Sequence, residues 1–180
     1  VARGHEAARG EGMSIVTLTD SEWVIAAHIA ELRQAQNGKA GVTDQRQSNA
    51  VDEITANYAR ELAVCKFLNF YPDLEFLRPG NEDCVYRGRT IDVKKAAAKM
   101  NVRVKPGKKS DLYIGCNWVP AHRHFAIVGF VWHEKMETMH ECRGDNDDGT
   151  HYYSIPVHRL IPISKIDDCC DWMDRNEVPS

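Results

Sequence analysis

The chain has 180 residues, of which 43% are hydrophobic and 27% charged, which is the composition of an ordinary globular protein with a core of its own. No apolar run approaches the roughly 18 residues that a membrane-spanning helix needs, so a membrane role is not expected. The net charge of −3 excludes a surface that is basic overall, although a local basic region remains possible.

Residues 1–12, VARGHEAARGEG, are small, polar and charged, and they lack the apolar core of a signal peptide. We expect them to be a disordered lead-in, and residues 13–180 to form a single domain. The six cysteines form no CxxC pair. Without a secretion signal, the simplest interpretation is a cytoplasmic protein with reduced, mostly buried thiols.

Two helices open the predicted fold. The first begins at the capping-box pattern Thr19-Asp20-Ser21-Glu22 and ends near Asn37-Gly38. A polar linker at residues 38–48 separates it from a longer helix at about 48–69, which the pair Tyr71-Pro72 stops. The apolar faces are predicted from helical spacing: Trp23, Ile25, Ala26, Ile29 and Leu32 in the first helix, and Val51, Ile54, Tyr58, Leu62, Cys65 and Leu68 in the second.

Beyond residue 72 the apolar period changes to two, which predicts strands. A short strand at 74–77 precedes a hairpin of 84–87 and 90–94 around Gly88, and another short strand is expected at 101–105. The near-continuous apolar runs at 111–119 and 125–132 predict central strands covered on both faces. A polar loop at 142–150, a strand at 151–157 and a closing helix at 163–173 complete an α/β fold, with a central mixed β-sheet flanked by helices and an extra N-terminal helix.

The charge is distributed unevenly. Residues 87–109 contain nine lysines or arginines and the single acid Asp92, whereas acids dominate elsewhere. A local positive field can bind a polyanion even when the whole molecule is slightly acidic.

Opposite charges occur within the predicted strand TIDVK. Residues i and i+2 of a strand point to the same face, so Asp92 and Lys94 are expected side by side, with Lys95 on the other face. In the predicted hairpin Asp83 lies near the same end of the neighbouring strand. Two carboxylates that approach closely repel each other unless one is protonated or a cation lies between them, and Mg²⁺ suits such a pair.

Glu61 is a further candidate ligand. It aligns with Asn57 and Cys65 on the second helix, beside the buried face, so its carboxylate could reach the metal directly or through water. Such a site has a chemical purpose, because a bound metal lowers the pKa of water and generates hydroxide near neutral pH. A lysine beside it, here Lys94, can orient that water and stabilise charge in the transition state.

At these residues the sequence resembles the PD-(D/E)XK nuclease superfamily, especially small phage and bacterial members. The family pattern is an acid, a spacer and (D/E)-x-K, here Asp83, eight residues and Asp92-Val93-Lys94, with Glu61 as the upstream helix acid. The strings GRTIDVK, DLYIG, FAIVGFVW and YYSIPVHRLIPI contribute to the resemblance, which covers roughly residues 50–165. Glu82 could replace Asp83 as the ligand if the strand register differs by one residue.

The resemblance implies a restriction-endonuclease-like core and cleavage of DNA, with endonuclease favoured over exonuclease and a homodimer possible. The implied catalytic residues are Glu61, Asp83, Asp92 and Lys94. The implied Mg²⁺ ligands are Asp83, Asp92, Glu61 and the Val93 carbonyl, with Mn²⁺ expected to substitute for Mg²⁺. The basic residues expected to contact DNA phosphates are Arg87, Arg89, Lys95, Lys99, Arg103, Lys105, Lys108 and Lys109.

Two other functions remain open at this point. A non-catalytic protein of the same fold would keep the basic segment and bind nucleic acid without a working metal site. A protein-interaction module would instead use the acidic loop at 145–148 and the closing helix, and would not retain DNA in a salt-dependent way.

Overall fold

The computed structural model describes residues 12–39, 50–70, 83–96, 101–105, 110–120 and 123–176. The predicted lead-in through residue 11, the greater part of the linker and the predicted strand at 74–77 lie outside these ranges. So do Glu82, Lys99, Lys108 and Lys109.

Helix α1 spans Asp20–Lys39 and starts at the predicted capping box. The Thr19 N–H donates to Glu22 Oε2 at 2.5 Å, and the Glu22 N–H donates to Thr19 Oγ1 at 3.3 Å. The buried face differs from the predicted one: Ala26, Ile29 and Ala30 are buried, whereas Ile25 is 47% and Leu32 38% exposed. The reason is that α1 packs mainly against the second helix, whose facing side is rich in alanine, rather than directly on a sheet.

Helix α2 spans Ala50–Phe67 and ends slightly earlier than predicted. Asn69 adopts a left-handed conformation (φ 56°), and the Phe70 N–H donates to the Cys65 carbonyl at 3.0 Å. Asparagine tolerates this conformation and therefore closes the helix before the Tyr71-Pro72 pair is reached.

Eight strands are described, as listed here in chain order: β1 Ser14–Thr17, β2 Cys84–Tyr86, β3 Arg89–Lys95, β4 Asn101–Val104, β5 Leu112–Val119, β6 His124–Trp132, β7 Arg143–Asp145 and β8 His151–Pro156. The hairpin of β2 and β3 turns at Arg87 (φ 51°) and Gly88 (φ 77°), as the sequence predicts. Two positive φ values in a two-residue turn match the right-handed twist of the strands.

Five strands form a mixed sheet in the order β1-β6-β5-β3-β2, in which only β3 and β5 run parallel. The other three form an antiparallel sheet in the order β4-β8-β7. The described part of the chain is thus α/β with a mixed sheet flanked by helices, which confirms the predicted architecture at this level. Strand β1 was not predicted from sequence, because its four residues become a strand only by pairing with β6.

The five-stranded sheet lies between helices on one face and the three-stranded sheet on the other. Helix α2 and helix α4, which spans Ile166–Asn176, cover the first face. The second face packs on β4 and β8, whose inward residues Val102, Val104 and Ile155 are fully buried. The contact is close at Gly115 of β5, where an added Cβ would lie 2.6 Å from a Val102 methyl group.

One further prediction needs correction, and one short helix was not predicted. The region 142–150 is not entirely a loop, since β7 pairs with β8 across a turn at 146–150. A short helix, α3, follows β6 directly at His133–Glu137 and buries Met136.

All six cysteines are free and buried, as expected. No helix in the described ranges has the length and apolar character required to cross a bilayer.

Candidate functional site

A cavity of about 750 Å³ opens beyond the start of β2, where α2, β3 and the three-stranded sheet approach one another. Its volume is within the range of natural ligand sites. Its described lining comprises Asn57, Arg60, Glu61, Asp83, Asp92, Val93, Lys94, Lys95, Arg103, Lys105 and Asn146. The four residues with predicted catalytic roles therefore line one cavity, although they come from two strand segments and a helix.

Asp92 and Lys94 lie side by side on β3. Asp92 is only 2% exposed, and the Lys94 ammonium forms an ion pair with Asp92 Oδ2. The neighbouring Lys95 is exposed and belongs to the opposite face of the strand. Strand alternation thus places Lys94, rather than Lys95, against the carboxylate.

Asp83 directly precedes the first residue of β2, and its carboxylate bridges to β3. Its Oδ2 accepts a hydrogen bond from the Val93 N–H at 2.6 Å, and its own N–H donates to the Ile91 carbonyl at 2.9 Å. The pKa of Asp83 is raised to about 7, first by burial and then by the adjacent charge of Asp92, while the Val93 bond and Lys94 oppose the shift. Near neutral pH the Asp83 carboxyl group is therefore protonated for part of the time.

The donor set fits a hard divalent cation. Asp92 Oδ2 is buried and, apart from its ion pair with Lys94, accepts no hydrogen bond of normal geometry from any residue that the structure describes. Because the N–H and C=O of a strand residue point the same way, the Val93 carbonyl faces the same edge as the Asp83 carboxylate. Two carboxylates and a carbonyl are oxygen ligands of the kind that Mg²⁺ takes, with water and substrate completing its shell.

Glu61 does not join this pair as a third close ligand. It lines the cavity from α2. Within the described ranges, no group of three or more His, Cys, Asp or Glu side chains is arranged to hold one metal ion. A Glu61 contribution through an intervening water fits this arrangement better than direct ligation.

Arg60 is a cavity residue that sequence reasoning missed. It is 5% exposed, and its Nη1 donates to the Asn57 Oδ1 at 2.5 Å. The available signal was its spacing, because Ala56, Arg60 and Val64 recur every fourth residue and so share the buried face of α2. A guanidinium is rarely buried without a polar purpose, and this one lines the same cavity as the carboxylates.

Tyr113 was predicted only as part of a buried strand. It is the parallel-register partner of Asp92 and is fully buried, with its hydroxyl oxygen 3.1 Å from His133 Nδ1. Burial raises the pKa of Tyr113 to about 12, and the charge of Asp92 adds to this effect. Tyr113 therefore stays a neutral hydroxyl on the strand next to Asp92, where it contacts His133.

Two of the predicted DNA contacts are directed elsewhere. Arg87 forms ion pairs with Asp167 and Asp171, and Arg89 forms one with Asp174 at 2.6 Å. All three acids belong to α4, and neither arginine lines the cavity. These arginines hold α4 against the hairpin, whereas Lys95, Arg103 and Lys105 do reach the cavity.

Comparisons of the chain with protein-family models, with curated proteins and with solved structures found no match. What the protein does must therefore be inferred from the chemistry of the cavity, and the resemblance noted in the sequence remains an expectation.

Proposed function

We propose that the chain is a metal-dependent nuclease of the PD-(D/E)XK superfamily, with a restriction-endonuclease-like core, that hydrolyses DNA phosphodiester bonds. One observation supports this most strongly: the half-buried Asp83 and the buried Asp92, with Lys94 against Asp92, at the wall of a cationic cavity.

The charge of the cavity supports an anionic substrate. Five cationic side chains and three carboxylates line it, although the whole chain carries a net charge of −3. Phosphates of a nucleic acid would be attracted into such a site by a sequence-independent field that weakens with salt.

Asp83, Asp92 and the Val93 carbonyl would hold the metal, which when bound lowers the pKa of water and neutralises charge on the phosphate. Asp83 must first lose the proton that its raised pKa favours. Lys94 keeps its ammonium beside these oxygens, where it can donate to the attacking water or to a phosphate oxygen.

Two residues of α2 would complete the site. Arg60 offers a buried guanidinium that can bind a phosphate oxygen, since low solvent exposure strengthens such charge-assisted bonds. Glu61, which lines the cavity from α2, would accept a hydrogen bond from the attacking water and orient it.

The decisive test is Lys94→Ala, assayed by nicking of plasmid DNA with Mg²⁺ or Mn²⁺. We expect at least about a 100-fold loss of rate, because one transition-state contact of this kind contributes on that scale. Lys95→Ala is the matched control, since it removes the same charge from the opposite strand face; it should raise the KM but keep most of the kcat. Undiminished cleavage by a folded Lys94→Ala protein would contradict the assignment.

A non-catalytic nucleic-acid-binding protein is the second candidate. The observation in its favour is that no cluster of three or more ligand side chains occurs among the described residues. Calorimetric titration with Mn²⁺ separates the two functions. Metal binding that disappears in the Asp83→Ala/Asp92→Ala variant is expected only for the nuclease.

A further inference from the structure

The outer face of the three-stranded sheet presents a guanidinium that is held in place by its neighbours. Arg103 of β4 lies over the ring of Tyr152, with Cζ 3.7 Å from the ring centroid. Its Nη2 donates to Asn146 Oδ1 at 2.5 Å. An arginine has five N–H groups, so this bond leaves other donors for an anion in the cavity that Arg103 lines.

Asn146 is itself fixed by the turn between β7 and β8. Its N–H donates to the Thr150 carbonyl at 2.8 Å, and its Nδ2 donates to Thr150 Oγ1 at 2.7 Å. The acceptor oxygen that holds Arg103 therefore belongs to a closed turn, although the turn consists of polar residues that suggest a loose loop.

Tyr152 is also held in place by the neighbouring strand β7. It pairs with Gly144 of β7, where an added Cβ would lie 2.6 Å from Tyr152 Cζ and 2.7 Å from the hydroxyl oxygen. The ring thus lies flat across a glycine, with the guanidinium on its opposite side. This arrangement holds the exposed Arg103 guanidinium in one place at the cavity that it lines.

We infer that the three-stranded sheet is a phosphate-binding wall, in which Arg103 binds a DNA phosphate next to the one that is hydrolysed. Tyr152, Asn146 and Gly144 are positioning residues for Arg103. The choice of DNA as the ligand rests on the proposed function. The anion site itself rests on the contacts that hold Arg103 in place. Lys105, which follows the last residue of β4, adds charge to the same cavity.

The test measures binding without cleavage. A fluorescein-labelled DNA oligonucleotide is titrated with protein in Ca²⁺ buffer over a series of KCl concentrations, with fluorescence anisotropy as the readout. For Arg103→Met we expect affinity to fall about tenfold, and the slope of log K against log [KCl] to fall by about one. The control is Arg143→Met, which removes an exposed cation of the same sheet that does not line the cavity; its affinity should stay within about twofold of the wild type. Equal affinities and salt slopes for both variants would overturn the inference.

The positioning role of Tyr152 can be tested separately. Tyr152→Leu should weaken binding about two- to fivefold, the scale of one cation–π contact, while Tyr152→Phe retains the ring and the affinity. Adding Tyr152→Leu to Arg103→Met should cause no further loss, because the ring acts only through the arginine. A further loss in the double variant would show that Tyr152 contacts DNA directly, which overturns its assignment as a positioning residue.

The two proposals fail in different ways. If the wild type cleaves DNA but Arg103→Met binds normally, the phosphate-binding wall is wrong and the nuclease stands. If the wild type binds DNA with the predicted Arg103 dependence but does not cleave it with Mg²⁺ or Mn²⁺, the wall stands and the nuclease is wrong. Absence of any salt-dependent DNA binding by the wild type would contradict both.

Discussion

At the scale of single residues, the carboxylate pair sets the chemistry of the cavity. Asp83 is half-buried beside the buried Asp92, and the Lys94 ammonium forms an ion pair with Asp92. Neighbouring acids of this kind are costly for a folded protein, because burial and mutual repulsion both disfavour the charged form. Such a cost is typical of functional sites.

Because the pKa of Asp83 is raised in the folded chain, the free energy of unfolding depends on pH. The pKa of Asp83 is about 7 in the folded chain against an ordinary value of 3.8, so between these values the folded state holds a proton that the unfolded state has lost. The unfolded state binds fewer protons in this range, and the free energy of unfolding therefore falls as pH rises from about 4 to 7.

We therefore predict that Asp83→Asn stabilises the metal-free protein above pH 7. The amide keeps an acceptor for the Val93 N–H and removes the repulsion, and each kcal/mol relieved raises Tm by about 2–4 °C. The measurement is thermal unfolding at pH 4 and pH 8 in EDTA, with the exposed Asp147→Asn as the control. A Tm difference from the wild type that is the same at both pH values would show that Asp83 does not carry the proton.

At the scale of elements, the basic segment divides into two groups with different tasks. Lys95, Arg103 and Lys105 line the cavity, whereas Arg87 and Arg89 extend from the β2–β3 turn to acids on α4. The turn places these two arginines away from the start of β2, where the carboxylates lie. Charge density along the sequence alone does not separate the groups, because the segment folds back on itself.

This division predicts that Arg89→Met lowers stability without affecting DNA binding. Arg89 is 9% exposed, and losing its hydrogen bond to Asp174 should cost about 1–3 kcal/mol in the free energy of unfolding. Urea unfolding measures the first effect, and anisotropy of labelled DNA measures the second. If the Arg89→Met protein had normal stability and bound DNA as weakly as Arg103→Met, Arg89 would have to be assigned to the DNA-binding surface.

At the scale of the whole molecule, the cavity exists because two sheets pack closely. Gly115 of β5 pairs in register with Lys94, and β4 of the opposite sheet approaches it so closely that an added Cβ would lie 2.6 Å from a Val102 methyl group. The Val128 methyl group of the neighbouring strand β6 would lie 2.8 Å from the same Cβ. The absence of a side chain at Gly115 thus lets β4 pack closely on the sheet that carries the carboxylates.

Gly115→Ala should consequently lower stability by about 1–3 kcal/mol through overpacking, and should also weaken DNA binding although residue 115 does not line the cavity. Adding Val102→Ala removes the closest methyl group and should restore part of the binding. Urea unfolding and DNA anisotropy provide the two readouts. Normal binding by a destabilised Gly115→Ala protein would show that the spacing of the sheets does not control the wall.

Local interactions explain which predictions the sequence supported. The capping box of Thr19 and Glu22 needs only residues three apart, and the turn at Gly88 needs only two positive φ values. Strand alternation likewise places Lys94 with Asp92 and directs Lys95 to the other face. These features depend on short-range backbone geometry, so they can be inferred from the residues in order.

The sequence by itself thus determined the helices, the hairpin, the central strands and the residues of the carboxylate–lysine cluster. Only the tertiary structure decided that β4 pairs with β8 across some fifty intervening residues, that Arg60 is buried in the cavity and that Arg103 is fixed by Tyr152 and Asn146. The raised pKa of Asp83 also belongs to this group. The physical reason is that burial and electrostatic coupling depend on which distant segments meet, and no local pattern encodes that distance.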